Sequence, residues 1–548
     1  MIAWAIQSLL VIGTAWIVLR SRRLFGKHPL DNIPGPAGGS FLAGHFDKLW
    51  DQSEQGWGYH KRIAAKYGCI TKIRGPFGAK ALFVYDPKSL HHIIIKDQHI
   101  YEETPGFLLG NNLIFGPGLL ATLGEQHRKQ RKMLNPVFSV AHMRDMIPTF
   151  YDVTHKLRDA FMAKVSKGPQ EIDVSRWMSR AALELIGQSG LGYTFDSLTD
   201  NAQENNYSRN IKRFNDLVTC LNFARHYILP LVHDIGTPWL RRWAIEVVPW
   251  KNLKELRKVV DVMHRTAVDV IESKRKVLKD ADPEATSKKI GRGKDIISTL
   301  LKANVAASEG DRISEEELVG QVSTLTFAAM DTTSNALSHT FHLLSQHPDV
   351  QDRLREEIRD AHQRCGTERL GYDALVSLPY LDAICRETLR LHPPIPTVIR
   401  EPREDVVLPL SKPVHGHNGS KVTEVLVPKG TIIFLSLLSS NRNPDIWGPD
   451  SFEWKPERWM NRLPDSVSEA KIPGVYSHLM TFLGGGRACI GFNFSQLEMK
   501  VVLCALLDKF KFSLVKGKEI EWKMTGIVTP AVVGESGQQL PLVVSVAD

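Results

Sequence analysis

Ten residues near the C-terminal end, Phe482-Leu483-Gly484-Gly485-Gly486-Arg487-Ala488-Cys489-Ile490-Gly491, constrain the fold of this chain more than any other stretch. The glycines permit positive φ and let backbone come close to a flat ligand. The apolar run from Phe492 to Phe510 predicts a helix, so the loop delivers Cys489 to a helix N-terminus. There the helix dipole and free backbone amides stabilise a thiolate. Arg487, two residues earlier, can meet an anionic group. A lone cysteine is more often a small buried hydrophobe. Within this pattern Cys489 reads instead as a soft, anionic metal ligand beside a cation.

The other end of the chain predicts a membrane anchor. Ile2 to Leu19 is apolar apart from Gln7, Ser8 and Thr14. Eighteen residues at 1.5 Å each span about 27 Å, close to a hydrocarbon core of about 30 Å. Arg20, Arg22, Arg23 and Lys27 follow, and the first acid is Asp31. A cleavable signal peptide carries its positive charge ahead of the apolar run. The reversed order predicts a retained, single-pass anchor over residues 1–19, with the basic flank and everything after it in the cytosol. The endoplasmic reticulum membrane is its expected home. Residues 20–36 form a flank and hinge ending in Pro34-Gly35-Pro36, and residues 37–548 form the body.

The body reads as mainly helical. Helical periodicity dominates from Leu90 to Leu391, while strand-like segments cluster at Ile70 to Tyr85, Val406 to Leu437 and Ile520 to Val546. Helices with small, segregated sheets give an α+β class. The polar stretch from Lys279 to Lys294 reads as a mobile surface loop. One helix is exceptional: Ser314 and Glu317 form a capping box, and the apolar pattern then runs to His347-Pro348. Its centre is Phe327-Ala328-Ala329-Met330-Asp331-Thr332-Thr333. A carboxylate on such a helix is costly without a task or a partner. The Thr332 hydroxyl can bond back to the Ala328 carbonyl and loosen the helix ladder.

Two more motifs carry charge into apolar surroundings. A second helix begins at Ser377-Leu378-Pro379 and ends at Leu391, with Glu387 and Arg390 three apart on one face. A solvated surface pair is the usual outcome of that spacing. Arg458, in Phe452-Glu453-Trp454-Lys455-Pro456-Glu457-Arg458-Trp459, can complete a buried structural network with them.

With these residues in view, the chain resembles the cytochrome P450 superfamily, of microsomal, fungal type. The loop matches the haem signature FxxGxRxCxG at Phe482, Gly485, Arg487, Cys489 and Gly491. Ala328 to Thr333 matches AGxDTT, with alanine at 329 in place of glycine. Glu387 to Arg390 matches ExxR, and Pro456 to Trp459 is PERW. The resemblance implies one haem-binding domain with a long central helix and small sheets. That replaces the three or four domains which 548 residues suggest at about 150 each. It implies haem b held by the Cys489 thiolate, with Arg131, Arg400 and Arg487 on its propionates. It implies proton delivery through Asp331 and Thr332, and a structural triad of Glu387, Arg390 and Arg458. The family's WxxxR reads His127-Arg128-Lys129-Gln130-Arg131, so His127 is expected to contact the haem where tryptophan is usual.

The implied activity is monooxygenation of a lipophilic small molecule, such as a terpenoid or other secondary metabolite. The rival readings are a haem-thiolate isomerase or dehydratase and a non-catalytic haem-binding protein. Asp331 and Thr332 speak against the first, and the relay and anchor speak against the second. No GxGxxG fingerprint opens a βαβ unit, so electrons are expected from an NADPH-dependent cytochrome P450 reductase. Tyr101 to Leu120, Phe214 to Trp250, and Ile395 to Ile399 are expected to line or cap the pocket.

Composition agrees. With 43% apolar and 24% charged residues the chain is neither disordered, collagen-like nor a coiled coil. A mean hydropathy of -0.18 excludes a polytopic membrane protein. The six cysteines form no CxxC pair, which argues against a disulfide scaffold or a structural zinc site. The net charge of +9 is distributed partly over the basic flank and partly over Arg128, Lys129, Arg131 and Lys132. A membrane, two propionates and an acidic redox protein suffice as partners; nucleic acid is not needed.

Overall fold

A computed structural model describes residues 28–199, 206–211, 213–279 and 295–547. The apolar stretch Ile2 to Leu19, the basic residues Arg20, Arg22, Arg23 and Lys27 after it, and all but the first residue of the polar stretch Lys279 to Lys294 lie outside those residues. Among the described residues no helix is long and apolar enough to cross a membrane.

The described residues are mainly helical, with four small sheets among them. The largest joins both ends of the sequence. Its strands β1 (Ile70–Arg74), β2 (Lys80–Val84) and β3 (Tyr101–Glu102) come from the front. Strands β5 (Thr397–Pro402) and β8 (Ile433–Ser436) come from the back, in the order β1-β2-β8-β5-β3. Only the β2–β8 pair is parallel, with Leu82 opposite Ile433 and Val84 opposite Leu435. A hairpin of β6 (Val406–His415) and β7 (Lys421–Val427) lies beside it in sequence. Between the ends, β4 (Gln170–Asp173) pairs with β12 (Pro541–Val546), which also pairs with β9 (Phe510–Leu514). The helical stretch Leu90 to Leu391 is therefore broken by β3 and β4, strands too short to show an alternating pattern.

The long helix runs Glu315–Gln346, 32 residues or roughly 48 Å. Its capping box is complete: the Ser314 hydroxyl accepts from the Glu317 N–H at 3.2 Å, and the Glu317 carboxylate accepts from the Ser314 N–H at 2.7 Å. Most of the helix is buried, polar residues included, so it passes through the core rather than over it. One close approach fixes its position. A Cβ on Gly320 would lie 2.9 Å from the Gly118 nitrogen, so only glycine lets the chain after Pro105–Phe115 rest on this helix.

The helix after the cysteine loop ends earlier than its apolar run suggests, at Phe492–Leu507. Phe510 opens β9 instead. The side chains of Phe510 and Phe512 point into the core and those of Lys511 and Ser513 point out, a two-residue period that overrides continued helix. The last hairpin, β10 (Ile520–Met524) with β11 (Val528–Val532), brings its tip back toward the long helix.

Candidate active site

The described residues enclose a cavity of about 540 Å³ between the long helix and the cysteine loop. Ala328 and Thr332 of the long helix and Cys489 of the loop all line it. Phe115, Phe214 and Phe327 form an aromatic cluster on its surface, with ring centroids 4.7–5.7 Å apart. Such contacts bury large apolar area with fixed geometry. All of Ile395 to Ile399 lines the cavity, as expected. The span Phe214 to Trp250 divides: Phe214 to His226 contributes lining residues, whereas Leu231, Trp239 and Trp243 are exposed.

The cysteine loop is held by its own backbone and by distant carbonyls. The Cys489 N–H donates to the Phe482 carbonyl at 2.8 Å. A Cβ on Gly484 would sit 1.7 Å from the Pro473 carbonyl oxygen, and one on Gly485 (φ 64°) would sit 2.2 Å from that of Ile94. These glycines thus serve packing of the loop against the protein. A Cβ on Gly491, at φ -84°, would meet nothing within 4 Å. Leu483 occupies the left-handed region at φ 55°, the kind of strain that clusters at functional sites. Phe482 packs against Phe492 and Tyr476 and lines the cavity.

Cys489 is exposed to the cavity yet enclosed by protein, and that enclosure pushes its thiol up, against a hydrogen bond from the Gly491 N–H and the nearby Arg131 guanidinium. A cation bound to sulfur reverses that balance, because it stabilises the thiolate directly. The amide at the helix start is a feature that the sequence assigned to thiolate stabilisation; the guanidinium is Arg131, expected on a propionate, where the sequence had set Arg487 beside the cysteine.

Three arginines gather nearby. The Arg131 Nη1 donates to the Ala488 carbonyl at 2.6 Å, and Arg487 donates to the carbonyls of Thr122 at 2.7 Å and Leu119 at 3.2 Å. Arg400 and Arg487 flank Glu103 at 3.3 and 3.2 Å. His127 is buried on the same wall; burial, Arg487 and Arg131 push its pKa down to about 3, so its ring is neutral and offers one N–H. Positive charge exceeds the single cavity-lining carboxylate of Glu103. That excess, an apolar enclosure and a thiol fit a flat, metal-bearing group with two carboxylates, and Arg131, Arg400, Arg487 and His127 are the residues able to hold it. The chain from Arg128 to Lys132 splits accordingly: Arg131 lines the cavity, while Arg128 and Lys132 are exposed.

On the long helix, the Thr332 hydroxyl donates to the Ala328 carbonyl at 2.7 Å. Asp331 is buried, and burial raises its carboxyl to about 6 despite a hydrogen bond from Asn215. Asn335 donates to the Asp331 backbone carbonyl at 2.8 Å. The acid and the alcohol are therefore neighbours on the helix with separate bonding partners.

Glu387 and Arg390 are fully buried, not a solvated pair. The Arg390 fork donates twice to Glu387, both at 2.8 Å, and a further donor reaches the carbonyls of Asn441 and Ser451. Arg458 reaches Glu387 at 3.2 Å and Asp450 at 2.8 Å, and the Trp459 indole N–H donates to Glu387 at 2.9 Å. This network leads to the cysteine loop. The Asn441 side chain accepts from the Met480 N–H at 2.8 Å and donates to Thr481 at 2.9 Å, and Thr481 donates to the Leu389 carbonyl. Met480 and Thr481 immediately precede Phe482.

Glu103 and Asn215 lie within spans expected to line the pocket, though without assigned roles, whereas Asp450 and the hairpin tip Met524 to Ile527 were not foreseen from sequence. All are assembled by long-range contacts without a local signature, although the Glu102-Glu103 pair beside an apolar helix was a visible clue.

The profile of one family, cytochrome P450, matches residues 34–535. Curated relatives agree over nearly the full length. The chain is 49% identical to cytochrome P450 monooxygenase 91 of Postia placenta over 98% of both chains. It is 47% identical to cytochrome P450 monooxygenase 219 of the same fungus, over 99% of this chain and 98% of that one. It is 42% identical to a Ganoderma lucidum protein named ganoderic acid synthetase CYP5150L8, over 96% of both.

Proposed function

The chain belongs to the cytochrome P450 family and is a haem-thiolate monooxygenase; we propose that its substrate is a lipophilic secondary metabolite of terpenoid type, hydroxylated or epoxidised. When bound, haem supplies the reductive activation of dioxygen and the insertion of one oxygen atom. In this reading the Sγ of Cys489 would hold the haem iron. Arg131, Arg400, Arg487 and His127 orient the propionates, and Phe482, Gly485 and Gly491 shape the loop beside the haem. Asp331 holds a proton and Thr332 passes it at the cavity wall. The aromatic cluster excludes water and receives the apolar body of the substrate.

The observation that carries this reading is the thiol of Cys489, held by its loop and lining an apolar cavity whose other walls supply an alcohol and several guanidinium groups. A redox-partner reductase supplies electrons to this family; we infer an NADPH-dependent one, docking on the side of Arg128 and Lys132. The test combines binding spectra against terpenes, sterols, fatty acids and aromatics with product formation by microsomes fed NADPH. A terpenoid is expected to bind and gain one oxygen. In Thr332→Ala the same microsomes are expected to consume severalfold more oxygen per product. Exclusive oxidation of fatty acids, or full coupling in Thr332→Ala, counts against these assignments.

The same proposal places the catalytic domain on the cytosolic face of the endoplasmic reticulum, anchored by Ile2 to Leu19. Supporting it are exposed side chains on and beside the helix Pro238–Val247, with Leu231 76%, Trp239 69% and Trp243 57% exposed. The Trp50 ring lies 5.9 Å from that of His226, which brings the front of the body to the start of this apolar span. Exposed tryptophans of this kind suit a membrane interface. Deleting residues 2–27 is expected to leave part of the protein on membranes. Adding Leu231→Ser, Trp239→Ser and Trp243→Ser is expected to release the rest on fractionation. Complete release by the deletion alone overturns the second contact.

A further inference from the structure

Asp331 does not point its bonding capacity toward Thr332. Its carboxylate accepts a hydrogen bond from the side-chain amide of Asn215, on the short helix Phe214–Cys220. That helix lines the cavity through Phe214, Asn215, Val218 and Thr219. It also grips the long helix on two successive turns: the Phe214 ring lies 4.7 Å from Phe327, and Asn215 binds Asp331 four residues later. A molecule in the cavity that pushes on Phe214 therefore pulls on the partner of the buried acid.

We propose that Asn215 is a positioning residue that couples occupation of the substrate cavity to the carboxyl of Asp331, holding it on the cavity-lining helix until a bound molecule displaces that helix. This rests on the reading of Asp331 as the proton-bearing acid. An amide donor favours the ionised carboxylate, so losing it leaves burial unopposed and raises the acid further. The neighbouring charges set the background. Asp216, on the same helix, disfavours ionisation of Asp331, and is itself faced by Lys523 of the last hairpin and by Arg213. On other elements packed near the long helix, Arg180 is engaged by Asp196 and Lys274 by Asp295.

The test follows the carboxyl band of Asp331 by infrared difference titration in the full-length, haem-loaded protein, with Asp331→Asn assigning the band. Clotrimazole serves as the probe that fills the cavity. In the unaltered protein the titration midpoint is expected to rise when clotrimazole binds. In Asn215→Leu it is expected to start about one pH unit higher and to ignore the probe. Asn215→Gln, which keeps the donor, is expected to restore the lower midpoint, and it serves too if the leucine variant folds poorly. The decline of coupled product formation with rising pH is expected to move upward together with the midpoint. An unchanged midpoint in Asn215→Leu, or an equal shift in Val218→Ala, overturns the proposal. Coupled oxidation that survives Asp331→Asn removes the underlying reading as well. Loss in Asp331→Asn with an unmoved midpoint in Asn215→Leu removes the role of Asn215 alone.

Discussion

Cys489→Ser is expected to abolish monooxygenation, by at least about a thousandfold, the scale on which removing one member of a catalytic unit acts. The fold should survive. The structural contribution of this residue is its backbone N–H on the Phe482 carbonyl, which serine retains. What disappears is the thiolate, a soft donor that a hydroxyl cannot replace. The check is the absorbance of the reduced, carbon-monoxide-treated protein, where thiolate ligation gives a red-shifted Soret band. Loss of that band with haem still bound is the expected result. A retained band sinks the assignment, because the remaining described cysteines are poorly placed to substitute. None lines the cavity; Cys385 and Cys504 are buried in the core, where burial pushes the Cys385 thiol up to about 12 and raises that of Cys504 too.

The second large effect is structural. Arg390→Ala removes one cation from a buried network and leaves Glu387 with Arg458, the Trp459 indole and the Lys455 N–H. Breaking a buried ion pair from one side costs about 3–5 kcal/mol, a large part of the roughly 5–15 kcal/mol that holds a domain folded. It also orphans the Asn441 and Ser451 carbonyls. The expected outcome is little soluble, haem-loaded protein and a fall in thermal midpoint of many degrees. Arg390→Lys is expected to rescue poorly, since an ammonium cannot reproduce the two-pronged contact. The discriminating measurement is haem occupancy in whatever folded protein remains. Full occupancy at wild-type stability counts against a network that braces the cysteine loop through Asn441 and Thr481.

Much of this was legible in the sequence wherever the determinant was local. The capping box at Ser314 and Glu317 marks the start of the long helix, because both partners lie within one turn. The back-bond from Thr332 to Ala328 follows from helix geometry alone. The cysteine loop is a contiguous string whose glycines, arginine and cysteine can be read without knowing what surrounds them. Burial of Glu387 and Arg390 was not legible from their spacing. It depends on Trp447, Asp450 and Trp459, about sixty to seventy residues away. Glu103 is a clearer case: its meaning comes from Arg400 and Arg487, about 300 and 380 positions downstream. The glycines were half understood. Their freedom was foreseen, yet Gly484 and Gly485 are confined by the carbonyls of Pro473 and Ile94, which only the folded chain supplies.

The five-stranded sheet sets a schedule for biosynthesis. Strands β1, β2 and β3 are finished by residue 102, but the strands that join them begin at residue 397. At roughly 5–20 residues per second, a ribosome needs about 15–60 seconds to make the intervening chain. Throughout that interval the edge of β2 that will receive β8 is unpaired, with Leu82 and Val84 uncovered in the nascent chain. The cysteine loop emerges later still. Holding early strands apart until their partners arrive is thus a task that this topology hands to the cell's chaperones.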